Sequence, residues 1–266
     1  MIRYSFMIID PLSALGADDD IRRFFDLLKS CGYEGVELNL HNPLGVDVDR
    51  LQEWVAAAGL VVPSFLTGTA YHEGLCLSSP APEAHQGAVD RLIQNLDLGE
   101  RFNALLVVGL LQGFRSDEPD EDIANARIAD GLRAVARIAE AKGVDLVIEP
   151  VNHLQVGFNN SVGEVRRLVE AVGSPAVRPM VDTIHMNVEE TSLTQPILDC
   201  GPQLRHVHLC ESNGALFGSG NIDFGVVLQT LAAIDYDGFA SVKVYRKATL
   251  EEAAKTSLEY LRQSAG

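Results

Sequence analysis

The chain has 266 residues, 47% of them apolar, and a formal net charge of −16. That much apolar sequence can bury a large core, which excludes a disordered chain. So acidic a surface repels phosphate backbones and anionic headgroups, which argues against nucleic acid or a membrane as partner.

No apolar run reaches the roughly 18 residues that a spanning helix needs. The N-terminal stretch Met1-Ile2-Arg3-Tyr4-Ser5-Phe6 leads straight into a strand-like run, without the charged-then-apolar layout of a signal peptide. Cys31, Cys76, Cys200 and Cys210 show no C-x-x-C spacing. These features together predict a reducing, cytoplasmic setting.

In chain order, one beat repeats. A strand over Ile2–Met7 is followed by a helix over Asp18–Cys31, which stops at Gly32. The run Gly35–Leu40 reads as a strand with Glu37 inside it, Val48–Ala58 as a helix and Leu60–Leu66 as a strand. A long helix, Pro82–Phe102, precedes the strand Ala104–Leu110, and another, Glu121–Lys142, precedes Asp145–Glu149. The helix Val162–Val172 leads to the strand Val177–Asp182, and the short helix Gln195–Cys200 to Leu204–Leu209. Phe224–Ile234, the strand Phe239–Tyr245 and the helix Leu250–Ser264 close the series. Glycine just past a helix end suits a left-handed terminal residue, and it recurs at 32, 59, 143, 173 and 201.

Strict alternation implies parallel strands with right-handed crossovers. Eight such units in about 250 residues point to a closed barrel. The expected fold is therefore α/β, a single (β/α)8 TIM barrel, with residues 1–266 as one domain.

Barrels of this type keep their active sites at the C-terminal strand ends. Strand five ends in Glu149-Pro150, with Asn152 just beyond, and strand six ends at Asp182, with His185 three residues on. An isolated Asp-x-x-His has a plain alternative, in which Asp182 caps a helix starting at Thr183 and His185 is solvated. Along strand seven, period two puts His206 and His208 on one face; along strand eight it does the same for Ser241, Lys243 and Tyr245. Glu149, Asp182 and His208 offer oxygen and imidazole donors suited to one divalent cation such as manganese, magnesium, cobalt or zinc. The glycine-rich Phe217-Gly218-Ser219-Gly220-Asn221 reads as a phosphate cradle or as plain turn chemistry. Tyr71 and His72 are placed to line a pocket.

Three segments carry a family resemblance: Ile148-Glu149-Pro150-Val151-Asn152, Val181-Asp182-Thr183-Ile184-His185-Met186-Asn187-Val188-Glu189-Glu190 and His206-Val207-His208-Leu209-Cys210-Glu211-Ser212-Asn213. With them, nearly the whole chain resembles the xylose isomerase-like barrel superfamily, and within it the ketose 3-epimerases of the tagatose, psicose and ribulose type. The resemblance implies one divalent metal held by Glu, Asp, His and a second Glu, of which Glu149, Asp182 and His208 match. It implies substrate contact by His185, with Asn152, Gln155 and Glu211 as further candidates. Gln155 stands where the family carries a substrate-contacting Glu, Gly214 where it carries an Arg, and Lys243 where it carries the second metal-binding Glu. Relatives form dimers or tetramers, which makes a homo-oligomer compatible with the resemblance.

Lys243 leaves three outcomes open. It swings clear of a three-ligand metal, it stays neutral beside the metal as a second proton-transfer base, or it replaces the metal with an ammonium. Glu211 could supply a replacement ligand. The activity implied is that of a sugar isomerase or epimerase acting on a small-molecule ketose or related polyol ketone. Glu149 would be the base and Lys243 the second catalytic group, acting through a metal-assisted cis-enediolate. The alternatives are a dehydratase or lyase of dehydroshikimate or inosose type, and a non-catalytic sugar-binding relative with a dismantled metal site. DNA-repair endonucleases share the superfamily, but a net charge of −16 opposes that reading.

Overall fold

The computed structural model describes residues 2–40, 42–45 and 47–265; Met1, which opens the N-terminal stretch, and Gly266 lie outside them. The elements are β1 (Arg3–Ile8), α1 (Asp18–Cys31), β2 (Gly35–Asn39), α2 (Val48–Ala57), β3 (Ser64–Leu66), α3 (Pro82–Phe102), β4 (Leu105–Val108) and α4 (Glu121–Lys142). They continue with β5 (Leu146–Ile148), α5 (Val162–Val172), β6 (Val177–Asp182), α6 (Thr183–Glu189), α7 (Gln195–Cys200), β7 (His206–Cys210), α8 (Phe224–Ala233), β8 (Phe239–Lys243) and α9 (Leu250–Ser264). The strands follow one another in sequence order, β1 to β8, in a closed barrel. This is the (β/α)8 TIM barrel expected. Among the described residues, no helix is long and apolar enough to cross a membrane.

Two compact units make up the chain. The first comprises Met1–Asn39, Asp47–Pro63 and Val181–Gly266. In it, Phe6 packs edge-on against Phe24 of α1 and against Tyr33, with centroid separations of 5.8 and 5.6 Å. That face of β1 belongs to the helices. The alternate residues face the other way, as a strand's period of two requires. Parallel pairing sets Met7 beside Glu37, Ser5 beside Ser241, His208 beside Ser241 and Cys210 beside Lys243. Polar side chains of four strands are thereby stacked in register. The helix α1 stops where Gly32, at φ 98°, takes the left-handed conformation that a β-carbon would strain.

The second unit comprises Leu40–Val46 and Ser64–Met180. Its parallel strands β4 and β5 pair Val107 with Val147 and Val108 with Ile148. Val107, Val147 and Met180 form a buried apolar cluster. Such runs suit strands covered on both faces. The helix α5 starts with a capping box, in which Ser161 and Glu164 each accept from the other's backbone N–H.

Several strands are shorter than the apolar runs suggest. The run from Leu60 enters the sheet as β3 only at Ser64, because Pro63 has no N–H to give the ladder. Val61 makes one isolated bridge to Gly35. Tyr245 falls outside β8, since its N–H and that of Arg246 both donate to the Gly214 carbonyl at 3.0 Å. A helix absent from the eight expected, α6, follows β6 directly.

Candidate active site

Asp182 stands where β6 passes into α6, and its two oxygens have separate tasks. Oδ1 accepts from the Ile184 N–H at 3.0 Å and caps α6. Oδ2 accepts from the Lys243 ammonium at 2.7 Å. It also lies 3.4 Å from His208 Nδ1 and 3.7 Å from His185 Nε2. The capping alternative for Asp182 and its place in a polar cluster are thus both true. His185, on the second position after the cap residue's neighbour, is buried rather than solvated.

Lys243 Nζ is also 3.5 Å from His185 Nε2. The ammonium can therefore donate to a carboxylate and to an imidazole together. Burial opposes the charge on Asp182, but Lys243, with His185 and His208, holds its carboxyl well below the usual carboxylate range. Thr183 ties the start of α6 to β7, donating to the Cys210 carbonyl at 2.7 Å and accepting from its N–H at 2.8 Å. This doubly bonded joint fixes the position of Asp182 relative to His208.

Behind His208 lies a second buried carboxylate. Glu37 Oε1 is 3.1 Å from His208 Nε2 and 3.3 Å from His206 Nε2. His206 Nε2 in turn lies 3.4 Å from the Ser241 hydroxyl, which pairs with the Ser5 hydroxyl at 2.6 Å. Burial again opposes charge on Glu37, and His208 and His206 hold its carboxyl well below the usual range. Glu37, His206 and His208 offer ligand atoms within 4.8 Å of one another. The sequence alone places Glu37 inside a strand and His206 on the face of His208 without assigning either a role. The usable signal was an acid at an inward position of an otherwise apolar strand.

A metal fits this chemistry on one count. Asp182 Oδ2 and His208 Nδ1 face each other at 3.4 Å. Two donors on a tetrahedral ion with bonds of about 2.1 Å stand roughly that far apart. Oxygen and imidazole are donors that manganese, cobalt and zinc accept. Lys243 stands on the same oxygen, so a cation entering there meets an ammonium first.

Glu211 is buried and turned to its own loop. Its Oε1 accepts from the N–H groups of Ser212 and Ile222 at 2.8 and 3.1 Å, and its Oε2 from Gly218 at 3.0 Å. The glycine-rich stretch is therefore a cradle whose anion is an internal carboxylate. A β-carbon on Gly220 would come within 2.4 Å of Glu211 Oε1. Both oxygens that sequence reasoning offered to a substrate or a metal carry loop hydrogen bonds instead.

In the second unit, Glu149 follows β5 and is 8% exposed. Its N–H donates to the Val108 carbonyl at 3.0 Å, and its own carbonyl accepts from the Gln112 amide at 3.1 Å. Gln112 is held in turn by Asn159 at 3.0 Å. Gly109 leaves room for the Glu149 carboxylate, since a β-carbon there would lie 2.5 Å from Oε2. Asn152 is buried and accepts from the Leu154 N–H through Oδ1 at 3.1 Å, while Gln155 is exposed. The Tyr71 hydroxyl donates to Asp117 at 3.0 Å, and burial, with that bond, pushes the phenol up to about 12.

This is a TIM-barrel protein with carboxylate, imidazole and ammonium groups gathered at its strand ends, where the fold keeps its active sites. Residues 25–264 match the xylose isomerase-like TIM barrel family, and the chain belongs to it. It is 27% identical to the L-ribulose 3-epimerase of Mesorhizobium japonicum over 247 residues, covering 90% of this chain and 80% of that protein. It is 28% identical to the D-psicose 3-epimerase of Enterocloster bolteae, with 93% and 91% covered. Among solved structures, an L-ribulose 3-epimerase at 25% identity superposes with a TM-score of 0.84, covering 100% of this chain and 96% of that one. A D-allulose 3-epimerase from Methylomonas sp., at 20% identity, shares the fold with a TM-score of 0.86 over 99% and 98%.

Proposed function

We propose that this chain is an isomerase or epimerase of a ketose or related polyol ketone, working by proton removal next to the carbonyl through a cis-enediolate. The observation that carries the reading is the buried Asp182 carboxylate facing Lys243, His185 and His208 at the strand ends. The ketose 3-epimerase relatives support the same class of chemistry.

In this reading Glu149, Asp182 and His208 hold one divalent metal. Support comes from their place at the ends of, or on, three successive strands, β5, β6 and β7, and from their burial. When bound, the ion supplies electrostatic stabilisation of negative charge developing on substrate oxygen. Glu149 removes the proton α to the carbonyl, and Lys243 handles the second proton transfer. An ammonium can deliver a proton and an amine can accept one, so Lys243 replaces a second carboxylate in function without replacing it as a ligand. His185, backed by Asn152 and Gln155, contacts the substrate hydroxyls. Glu211 shapes that contact through its loop.

The test is incubation with a panel of ketoses in deuterium oxide. Deuterium uptake at the carbon beside the carbonyl is expected for at least one ketose. Absence of exchange across the panel would refute the reading. Loss of substrate with a new ultraviolet absorbance would mark a dehydratase instead.

A further inference from the structure

We propose that Glu37 is a positioning residue, fixing the ring of His208 so that Nδ1 is turned to Asp182. The inference rests on the metal-binding reading above, and it concerns a side chain outside the ligand set.

A neutral imidazole donates from one nitrogen and accepts at the other, whereas an ionised carboxylate only accepts. Glu37 Oε1 lies 3.1 Å from His208 Nε2, so the ring proton belongs on Nε2. Nδ1 lies 3.4 Å from Asp182 Oδ2, a gap that a second ring proton or a divalent ion would fill. With the Nε2 proton held by Glu37, an ion that displaces a proton from Nδ1 meets an oxygen and a nitrogen already turned to each other.

A purely structural role for Glu37 fits poorly. It is fully buried, and its second oxygen, Oε2, has no hydrogen-bond partner among the described residues. A charged group with an unsatisfied atom is a costly way to fill an apolar strand. A fixed negative charge behind a metal-binding imidazole is a recognised arrangement, and it raises the basicity of the ligand. His206 and Ser241 complete the setting. His206 Nε2 lies 3.3 Å from the same Glu37 oxygen and 3.4 Å from the Ser241 hydroxyl, which the Ser5 hydroxyl backs at 2.6 Å. This chain of contacts holds the carboxylate against the Nε2 side of His208.

The test has two arms. In the first, metal-stripped wild type, Glu37→Gln and Glu37→Asp are titrated with manganese or zinc by calorimetry, with unfolding midpoints of the stripped proteins as the control for folding. Glu37→Gln is expected to weaken metal binding by roughly 10- to 100-fold, and Glu37→Asp to recover part of it. Wild-type affinity in a folded Glu37→Gln protein would overturn the proposal. In the second arm, ring nitrogen shifts are read on wild-type protein labelled with 15N-histidine, with the His208 signals assigned from His208→Gln. A proton on Nε2 supports the proposal, and a proton on Nδ1 with Nε2 bare overturns it, even where the Glu37 variants fail to fold. If wild type takes up no divalent ion, the metal reading fails, and the ring shifts still decide the role of Glu37.

Discussion

Replacing Lys243 by Met tests whether the ammonium is the resident counter-charge of Asp182. The two groups are 2.7 Å apart, with Asp182 fully buried and the Lys243 side chain 14% exposed. At an effective dielectric of about 20, charges at that separation attract by roughly 6 kcal/mol, most of which is offset by their desolvation. Removing one member of a buried pair costs about 3–5 kcal/mol, because the other charge is left behind. Partial exposure of Lys243 and the imidazoles of His185 and His208 beside Asp182 reduce that to about 2–3 kcal/mol. For a chain of this size the loss corresponds to a fall in Tm of roughly 5–10 °C. The assay is thermal unfolding of wild type and Lys243→Met after chelator treatment, repeated with manganese added. The deficit should be full in the chelated proteins and should shrink with metal, since an ion beside Asp182 supplies the missing positive charge. Equal stability of the two chelated proteins would refute the reasoning.

Lys243→Glu should bind a divalent ion more tightly than wild type by at least about tenfold, because a third carboxylate replaces an ammonium beside the ion; calorimetry on stripped protein reads it. Stability should rise with pH through the acid range. The folded carboxyls of Asp182 and Glu37 lie below their ordinary values, so their contribution is present above about pH 4 and is lost as pH falls through the lowered folded values. Acid unfolding of Lys243→Met should consequently begin at a higher pH. Glu149→Gln should reduce deuterium exchange by about 10²–10⁴-fold while leaving the unfolding midpoint within a few degrees. Glu211→Ala removes the acceptor of three loop N–H groups, so hydrogen exchange at Gly218 and Ile222 should accelerate by tenfold or more.

The barrel was legible because its signals are local and repeated. The helices Asp18–Cys31, Pro82–Phe102, Glu121–Lys142, Val162–Val172, Gln195–Cys200 and Leu250–Ser264 have the expected bounds. Apolar residues at helical spacing and terminal glycines say where such helices stop. Strand ends were read less well, because leaving a sheet depends on partners far along the chain. Tyr245 continues the apolar alternation of β8, yet its N–H goes to Gly214, some thirty residues back. No pattern within the strand encodes that. The helix α6 stood in the sequence only as the alternative in which Asp182 caps a helix from Thr183. Its first four residues, Thr183, Ile184, His185 and Met186, are all buried, so its first turn shows no polar face.

The cluster was partly legible, and what remained hidden concerns which atom of a side chain meets which partner. Asp182 could be read as a helix cap or as a site carboxylate, and the choice was false. A carboxylate has two oxygens, and here Oδ1 caps while Oδ2 faces the Lys243 ammonium. That division makes the cap a device for aiming. The Ile184 N–H fixes the plane of the carboxylate, so Oδ2 has a defined direction before any ligand arrives. Glu211 shows the converse. Its type and its position three residues past His208 suggested a ligand, but the N–H groups of a glycine-rich loop engage both of its oxygens. The same loop, read from sequence as a possible phosphate cradle, already encloses a negative charge. A phosphorylated substrate would have to displace Glu211 to use those amides, which favours an unphosphorylated sugar. Competition assays with paired ketoses and ketose phosphates should therefore show the free sugar as the better ligand, and tighter binding of the phosphate through this loop would defeat the argument.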